Sequence, residues 1–455
     1  MPVSADALYA WHARPGAFER LTPPWQRVDV LRRCGGIDDG DRIDLRVWQG
    51  PIPTVWKIEH RNHQPGVQFE DHLLSGPFRS FRHRHRFEAI DAKRSRLVDT
   101  IDFEMPGGRL TELIVGRWLL GQMRRAFAWR HAVTREDLAA HAEDESGAKR
   151  VAISGATGMI GGRLASLLTT GGHSVVSMVR HGSKPPGFVG GRGVRWSWEH
   201  GQIDAGGLEG LDAVVHLAAE PIMGSWTPSK KQLIRDSRVR GTRLISETLS
   251  RLKKKPRVLV VASAVGVYGN RGQMIVDEKD PVGEGFLAEV ARDWEAATEP
   301  ARRAGVRVVH ARIGVVMSPK GGALRAMLPA FRMGVAGRLG FGNQWWSWIG
   351  LDDVAGALHH LVVMESLEGP VNLVAPRAVR NREFTATLAG VLRRPAVIPM
   401  PQGLVRFLFG REQANEVLLA SIRAEPTKLS GSGYRYRQPD LEMMLDEVLG
   451  AEDAR

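Results

Sequence analysis

At 455 residues the chain is too long for one compact core, and its apolar and charged fractions (43% and 25%) exclude a mainly disordered or fibrous protein. One cysteine, Cys34, excludes a disulfide framework and any multi-thiolate metal site. Lys plus Arg exceed Asp plus Glu by 63 − 50 = 13. That balance favours anionic small molecules; the charge is dispersed and no aromatic-studded basic motif accompanies it, so no nucleic-acid partner is expected.

The first twenty residues carry no apolar stretch behind a basic one, and no uncharged apolar run reaches bilayer length. A soluble, cytoplasmic protein with no membrane partner is expected. Short β-rich stretches then recur at Asp41–Trp48, Val55–His60, Val67–Leu74, Phe81–Glu88 and Leu97–Phe103, most of them separated by turn-forming residues. Leu110 to His131 carries apolar residues at helical spacing, among them Leu113, Ile114, Trp118, Leu120, Met123 and Phe127. Strands followed by a helix predict an α+β layer over residues 1–135. His83 and His85 alternate with Arg82, Arg84 and Arg86. Two histidines on one strand face could ligate a metal, but a basic solvent face with an inward His pair is the plainer reading, and no metal is expected. The polar, acidic segment 136–149 reads as a linker.

From Arg150 the pattern changes to strand, Gly-rich turn, helix and strand, one βαβ unit. Further strands at Ala213–Leu217, Arg257–Ala262 and Val306–Arg312 predict an α/β, doubly wound parallel sheet over residues 150–400, with a small domain at 401–455. Gly155, Gly158 and Gly161 follow the strand Val151–Ser154 and open a helix. That context is what a dinucleotide turn requires: a tight turn, close backbone approach to pyrophosphate, and close helix–strand packing. Thr157, Met159 and Ile160 complete the turn, and Leu217, Ala218 and Ala219 end a neighbouring strand. Where an NAD site has an acid to accept from the ribose 2′-hydroxyl, this chain has Arg180 and His181, with Ser183 and Lys184 nearby. An Arg suits a 2′-phosphate, so NADP(H) is the expected cofactor.

GATGMIG at 155–161, DAVVHLAA at 212–219 and VYG at 267–269 resemble the nucleotide-binding motifs of the extended short-chain dehydrogenase/reductase superfamily. Trp226-Thr227, Ser237-Arg238-Val239, SAVGVYG at 263–269, Trp294-Glu295, Arg312-Ile313-Gly314, Ser347-Trp348-Ile349 and Asn372-Leu373-Val374-Ala375-Pro376 are similar to its epimerase-like, cell-division-inhibitor-like branch. The N-terminal segment, with Trp11-His12, Pro23-Pro24-Trp25, Gly76-Pro77-Phe78 and HRHRF at 83–87, resembles a helix-grip (START-like, polyketide-cyclase-like) domain. The resemblance implies a curved sheet wrapped on a long helix around an apolar cavity, and hence an apolar ligand there.

The resemblance also implies a Tyr acid/base with a Lys four residues on, the Lys lowering the phenol pKa. The four tyrosines are followed at that distance by Ala13, Gly272, Gln438 and Asp440, so no such pair exists. Apolar residues fill the corresponding places around Phe286–Ala291. Ser263 and Tyr268 are the remaining catalytic candidates, with Glu289 or Glu295 as a base. Lys231, Arg238 and Arg312 are candidate clamps for an anionic substrate. Residues 340–346 look like a loop closing on the pocket, and Gly350 replaces a His common in this branch. Two functions remain open: an NADP(H)-dependent oxidoreductase or epimerase-like enzyme acting on a small carbonyl or sugar-type substrate, and a catalytically silent NADP(H) sensor coupled to the N-terminal domain.

Overall fold

The computed structural model describes residues 1–451 apart from 181 and 192, and for 109–114 the backbone alone. His181 and the side chains of Leu113 and Ile114 therefore lie outside the described residues. The chain forms two compact units, residues 1–147 with 166–172, and residues 148–165 with 173–455.

In the first unit, helices α1 (Ala5–Ala13) and α2 (Ala17–Arg20) precede six antiparallel strands in sequential order: β1 (Arg27–Cys34), β2 (Arg42–Gln49), β3 (Ile52–Gln64), β4 (Gln68–Ser75), β5 (Ser80–Asp91) and β6 (Arg94–Glu104). Helix α3 (Arg109–Ala142) follows. Helix α1 has no expectation behind it although Ser4 caps it, accepting from the Ala7 amide. Strand β1 escapes sequence reading because it is largely exposed and lacks a buried alternating face. Helix α3 runs to Ala142, not His131, and takes in the first half of the segment expected as a linker. Polar composition misleads there: Val133, Asp137 and Leu138 are all buried, and Arg20 meets Asp137 through two charge-assisted hydrogen bonds, both side chains 0% exposed. Trp118 and Leu120, expected on an apolar helix face, are exposed.

Leu8, Trp11, Phe69, Phe87 and Leu138 pack into this unit's core. The buried sheet face is not wholly apolar. Strand alternation puts His83 and His85 on it, and the cross-strand partners are Asp71 opposite His83 and Asp99 opposite His85.

The second unit is an eight-stranded sheet. Its edge strand β10 (Gln202–Ile203) is antiparallel to β9 (Val194–Ser197). Then follow in parallel β8 (Ser174–Val179), β7 (Arg150–Ser154), β11 (Ala213–His216), β12 (Val258–Ala264), Arg307–Ile313 and Gly369–Leu373. The central strands are buried on both faces, which is why they read as unbroken apolar runs. The chain enters at β7, builds outward through β8 to one side, then returns to β11 on the other. That reversal opens the crevice between the carboxyl ends of β7 and β11 where ligands bind in such sheets. Helices α4 (Met159–Thr170), α5 (Pro228–Arg251) and α6 (Phe286–Ala296) are among the connections. The C-terminal stretch joins the same unit: Arg423–Ala424 pairs with Ile275–Val276, and Met444 and Leu445 pack with Trp348, Phe384 and Leu388. No helix among the described residues is long and apolar enough to cross a membrane.

Candidate functional site

The turn between β7 and α4 is closely packed at its glycines. Gly155 has φ +75°, and a Cβ there would lie 3.1–3.2 Å from the backbone of Leu217 and Ala218. A Cβ on Gly161 would lie 2.2 Å from the Gly155 carbonyl oxygen, and one on Gly158 would lie 3.1 Å from the same atom. The Gly158 amide donates to that oxygen at 2.9 Å, closing the turn before the helix begins. Thr157 and Gly158 are exposed and Met159 and Ile160 half-buried, so the first turn of α4 presents amides to the crevice. This geometry fits a dinucleotide pyrophosphate: Gly155, Thr157, Gly158, Met159 and Ile160 would hold it, with Leu217, Ala218 and Ala219 on the facing strand end. Arg180 follows directly on β8 and is exposed.

A buried serine ties the two loops together, which the sequence does not announce. Ser154 Oγ accepts from the Leu217 and Ala218 amides at 3.0 and 3.1 Å and lies 2.6 Å from His216 Nδ1. With both hydroxyl lone pairs taken, the serine proton must point at His216, which fixes a neutral ring with Nδ1 as acceptor. Burial, followed by the nearby Arg238 charge, pulls the His216 pKa down to about 3 from 6.5. An unfolded histidine binds its proton near pH 6.5 and the folded one does not. Stability is therefore complete above pH 6.5 and lost as pH falls from 6.5 toward 3. At pH 5 this one group should withdraw about 2 kcal/mol. Urea titrations at pH 7 and pH 5 should show a loss smaller by about that amount in His216→Gln; an equal loss in both proteins would contradict the assignment.

The residues expected to clamp an anion have other tasks. Arg238 Nη1 donates to the carbonyls of Glu220 and Ile234 at 2.9 and 3.1 Å, and its guanidinium stacks over Trp294. Burial brings its pKa down to about 10. Glu220 also receives Lys230, and its amide donates to Ser237 Oγ. Arg238 thus steadies the loop that carries Leu217–Ala219. Lys231 pairs with Glu412 at 2.7 Å and lies over the Phe286 ring.

Arg312, the third of these, is 5% exposed and forms a two-pronged ion pair with Glu295, both contacts 2.9 Å. Its Nη1 also donates to the Tyr268 hydroxyl at 3.1 Å. Tyr268 is 0% exposed, donates to Asn372 Oδ1 at 2.8 Å, and has its pKa pushed up chiefly by burial. Ser263 donates to Glu295 Oε1 at 2.7 Å. Both catalytic candidates are therefore committed to one buried network rather than aimed at a substrate. Burial raises the Glu295 carboxyl, but the Arg312 contact more than offsets this and holds it ionised.

Phe286 stands at the first turn of α6 and Val290, 2% exposed, one turn on. The carboxylate of Glu416 accepts from the Phe286 and Leu287 amides at 3.0 and 2.8 Å, capping this helix from the C-terminal stretch. Beside it lies a cleft of about 460 Å³ whose walls include Gly266, Asn270, Glu284, Leu287, Arg406 and Asn415. Sequence reasoning missed Asn270, Glu284, Arg406, Asn415 and Glu416, since they come from segments more than a hundred residues apart with no local motif. Residues 340–346 do not line this cleft. Trp345–Trp346 instead pairs with Val379–Arg380, and Trp345 donates to Gln273. At Gly350 a Cβ would lie 2.0 Å from Gln438 Oε1, so the space left by the missing imidazole is filled by a buried glutamine.

Comparison with known proteins agrees with this architecture. Residues 151–373 match the NAD dependent epimerase/dehydratase family, 400–448 a domain of unknown function (DUF1731), and 1–131 the polyketide cyclase / dehydrase and lipid transport family. An epimerase family protein of Mycobacterium bovis is 41% identical over 306 residues, covering 67% of this chain and 98% of the relative. The crystal structure described as the nucleoside-diphosphate sugar epimerase from Corynebacterium glutamicum is 29% identical with a TM-score of 0.79, covering 99% of this chain and 89% of that one. Human epimerase family protein SDR39U1, solved with NADPH, is 32% identical with a TM-score of 0.60, covering 66% of this chain and 99% of that one. With a relative matched over nearly its whole length and the family pattern lying on the nucleotide-binding sheet, the chain belongs to the NAD dependent epimerase/dehydratase family.

Proposed function

We propose that the second unit binds NADP(H) and acts as an oxidoreductase or epimerase-like enzyme on a small, polar carbonyl or sugar-type substrate held in the cleft beside α6. The observation that carries this reading is the pyrophosphate turn, with glycine sterically required at Gly155 and Gly161 and tightly packed at Gly158, and exposed Arg180 just past the end of the adjacent strand. The solved human relative carries NADPH, which supports the choice of the phosphorylated cofactor. The cofactor supplies or accepts the hydride when bound; the chain's residues hold its phosphates and shape the substrate cleft. Asn270, Asn415 and Arg406 offer polar contacts for hydroxyls or an anionic group there. Without a phenol–amine pair, proton transfer falls to substrate, water or Glu284, and turnover is expected to be slow.

A second reading is supported by the apolar run at the start of α6, where the acid/base pair is expected, and by Ser263 and Tyr268 locked in the buried network. On it, the second unit is a redox-silent NADP(H) sensor. Titration with NADPH and NADH, followed by nicotinamide fluorescence, tests the shared part. NADPH should bind more tightly, and Arg180→Ala should weaken NADPH by about tenfold or more while leaving NADH unchanged, the loss of one charge-assisted phosphate contact. Equal affinity for the two cofactors, unaffected by the substitution, would contradict the assignment. Loss of NADPH absorbance with a carbonyl substrate panel then separates enzyme from sensor.

A further inference from the structure

The buried sheet face of the first unit assembles a set of histidines and carboxylates. Strand register places His60, Asp71, His83, His85 and Asp99 on one face of four adjacent strands, and His131 approaches from α3. Asp71 Oδ2 lies 3.5 Å from His83 Nδ1 and 3.4 Å from His85 Nε2. The His85 contact is a hydrogen bond, though a long one for a charge-assisted pair, and the His83 contact is an ion-pair distance alone. Both separations match the ligand-to-ligand edge of a tetrahedral site, about 3.3–3.4 Å for bonds of about 2.0–2.1 Å. The three ligating atoms all lie within 4.8 Å of one another.

The surroundings have the form of a second shell. Asp99 Oδ1 accepts from His83 Nε2 at 3.0 Å, which leaves His83 Nδ1 as a lone-pair donor facing Asp71. The same oxygen lies 2.9 Å from His85 Nδ1, off the hydrogen-bond direction, so this ring nitrogen, on a side chain more than nine-tenths buried, is unsatisfied as the rings stand. Asp99 is held in turn by His131 Nε2 at 2.6 Å. On the other side Asp71 Oδ1 lies 2.8 Å from His60 Nδ1, again without a hydrogen-bond geometry. Phe69 stacks on His85, and Phe127 packs edge-on to His83, giving the apolar wall that raises the strength of a charged site. Asp71 and His131 side chains are 20% and 38% exposed, which leaves a path to solvent.

We propose that Asp71, His83 and His85 form a site for a divalent first-row transition metal, Zn²⁺ foremost, with Asp99 orienting the His83 imidazole and a coordination position left open to water or a ligand. A two-histidine, one-carboxylate set is a ligand combination of open, reactive metal sites rather than closed structural ones. The expectation of no metal rested on two histidines alone; the structure adds the third ligand and the carboxylate behind them. The inference is independent of the nucleotide reading, since all its residues belong to the first unit.

The test uses the full chain stripped with a chelator. Titration with Zn²⁺ by calorimetry should show one saturable equivalent, and Co²⁺ should give the visible d–d bands of a low-symmetry nitrogen/oxygen site. Asp71→Asn and His85→Gln should lower affinity by about a hundredfold or more, and Asp99→Asn by about 10–100-fold. His72→Gln, which touches Glu70 outside the cluster, should bind as the wild type does. Absence of saturable uptake, or uptake unchanged in the ligand variants, would overturn the site. Should those variants unfold, the wild-type chain decides: a Tm that rises with Zn²⁺ and falls back with chelator supports the site, and a Tm indifferent to both overturns it.

Discussion

Gly161→Ala should abolish NADPH binding, with affinity falling by a hundredfold or more, while the chain stays folded. The added Cβ would sit 2.2 Å from the Gly155 carbonyl oxygen, 2.8 Å from its carbon and 3.0 Å from Ala156 Cα. All three are backbone atoms, so no side chain can swing aside. Relief requires α4 to move away from the turn, and the first-turn amides then no longer converge on the pyrophosphate. Gly162→Ala is the matched control, since its Cβ would lie 3.4 Å from the Ala156 oxygen, ordinary contact at most. It should retain binding and gain slightly in helix propensity. Fluorescence titration of the two variants side by side separates steric loss of the cradle from any general effect of alanine in α4. Equal affinities would mean that this turn does not hold the cofactor.

Legibility in the sequence follows from how local each signal is. The dinucleotide turn was readable because strand, glycines and helix occupy a dozen consecutive residues, and the central strands because burial on both faces leaves continuous apolar runs. The absence of a Tyr–Lys pair was readable by counting. What the sequence hid was pairing across distance. Ser263 and Tyr268 look like catalytic hydroxyls by position, yet their partners, Glu295 and Asn372, lie 32 and 104 residues away. Arg312 ends a strand where an anion clamp belongs, and only the packing of α6 shows that Glu295 already neutralises it. Asp137 failed for the complementary reason: an acidic stretch reads as solvated, and its buried partner is 117 residues upstream. The histidine pair on β5 showed a shared face, but the carboxylates that complete the cluster come from the neighbouring strands.

Ser263, Glu295, Arg312 and Tyr268 form one buried hydrogen-bonded network. If it is a positioning framework, Glu295→Gln should destabilise the second unit by about 3–5 kcal/mol, because it leaves the Arg312 guanidinium buried without a counter-charge. The Tm should drop by roughly 5–8 °C for a unit of this size. The double variant Glu295→Leu with Arg312→Met should recover most of that loss, since an apolar pair of similar volume removes both desolvation costs together. Ser263→Ala should cost about 1 kcal/mol, one hydrogen bond to a carboxylate that keeps its Arg contacts. NADPH affinity should be unchanged in Ser263→Ala, and any substrate turnover found for the wild type should persist within a few-fold. A loss of turnover by two orders of magnitude in Ser263→Ala at unaltered Tm would instead return the serine to the chemistry. Thermal denaturation and turnover measured on the same three proteins therefore distinguish a framework that holds β12 and Arg307–Ile313 in register from a site that acts on substrate.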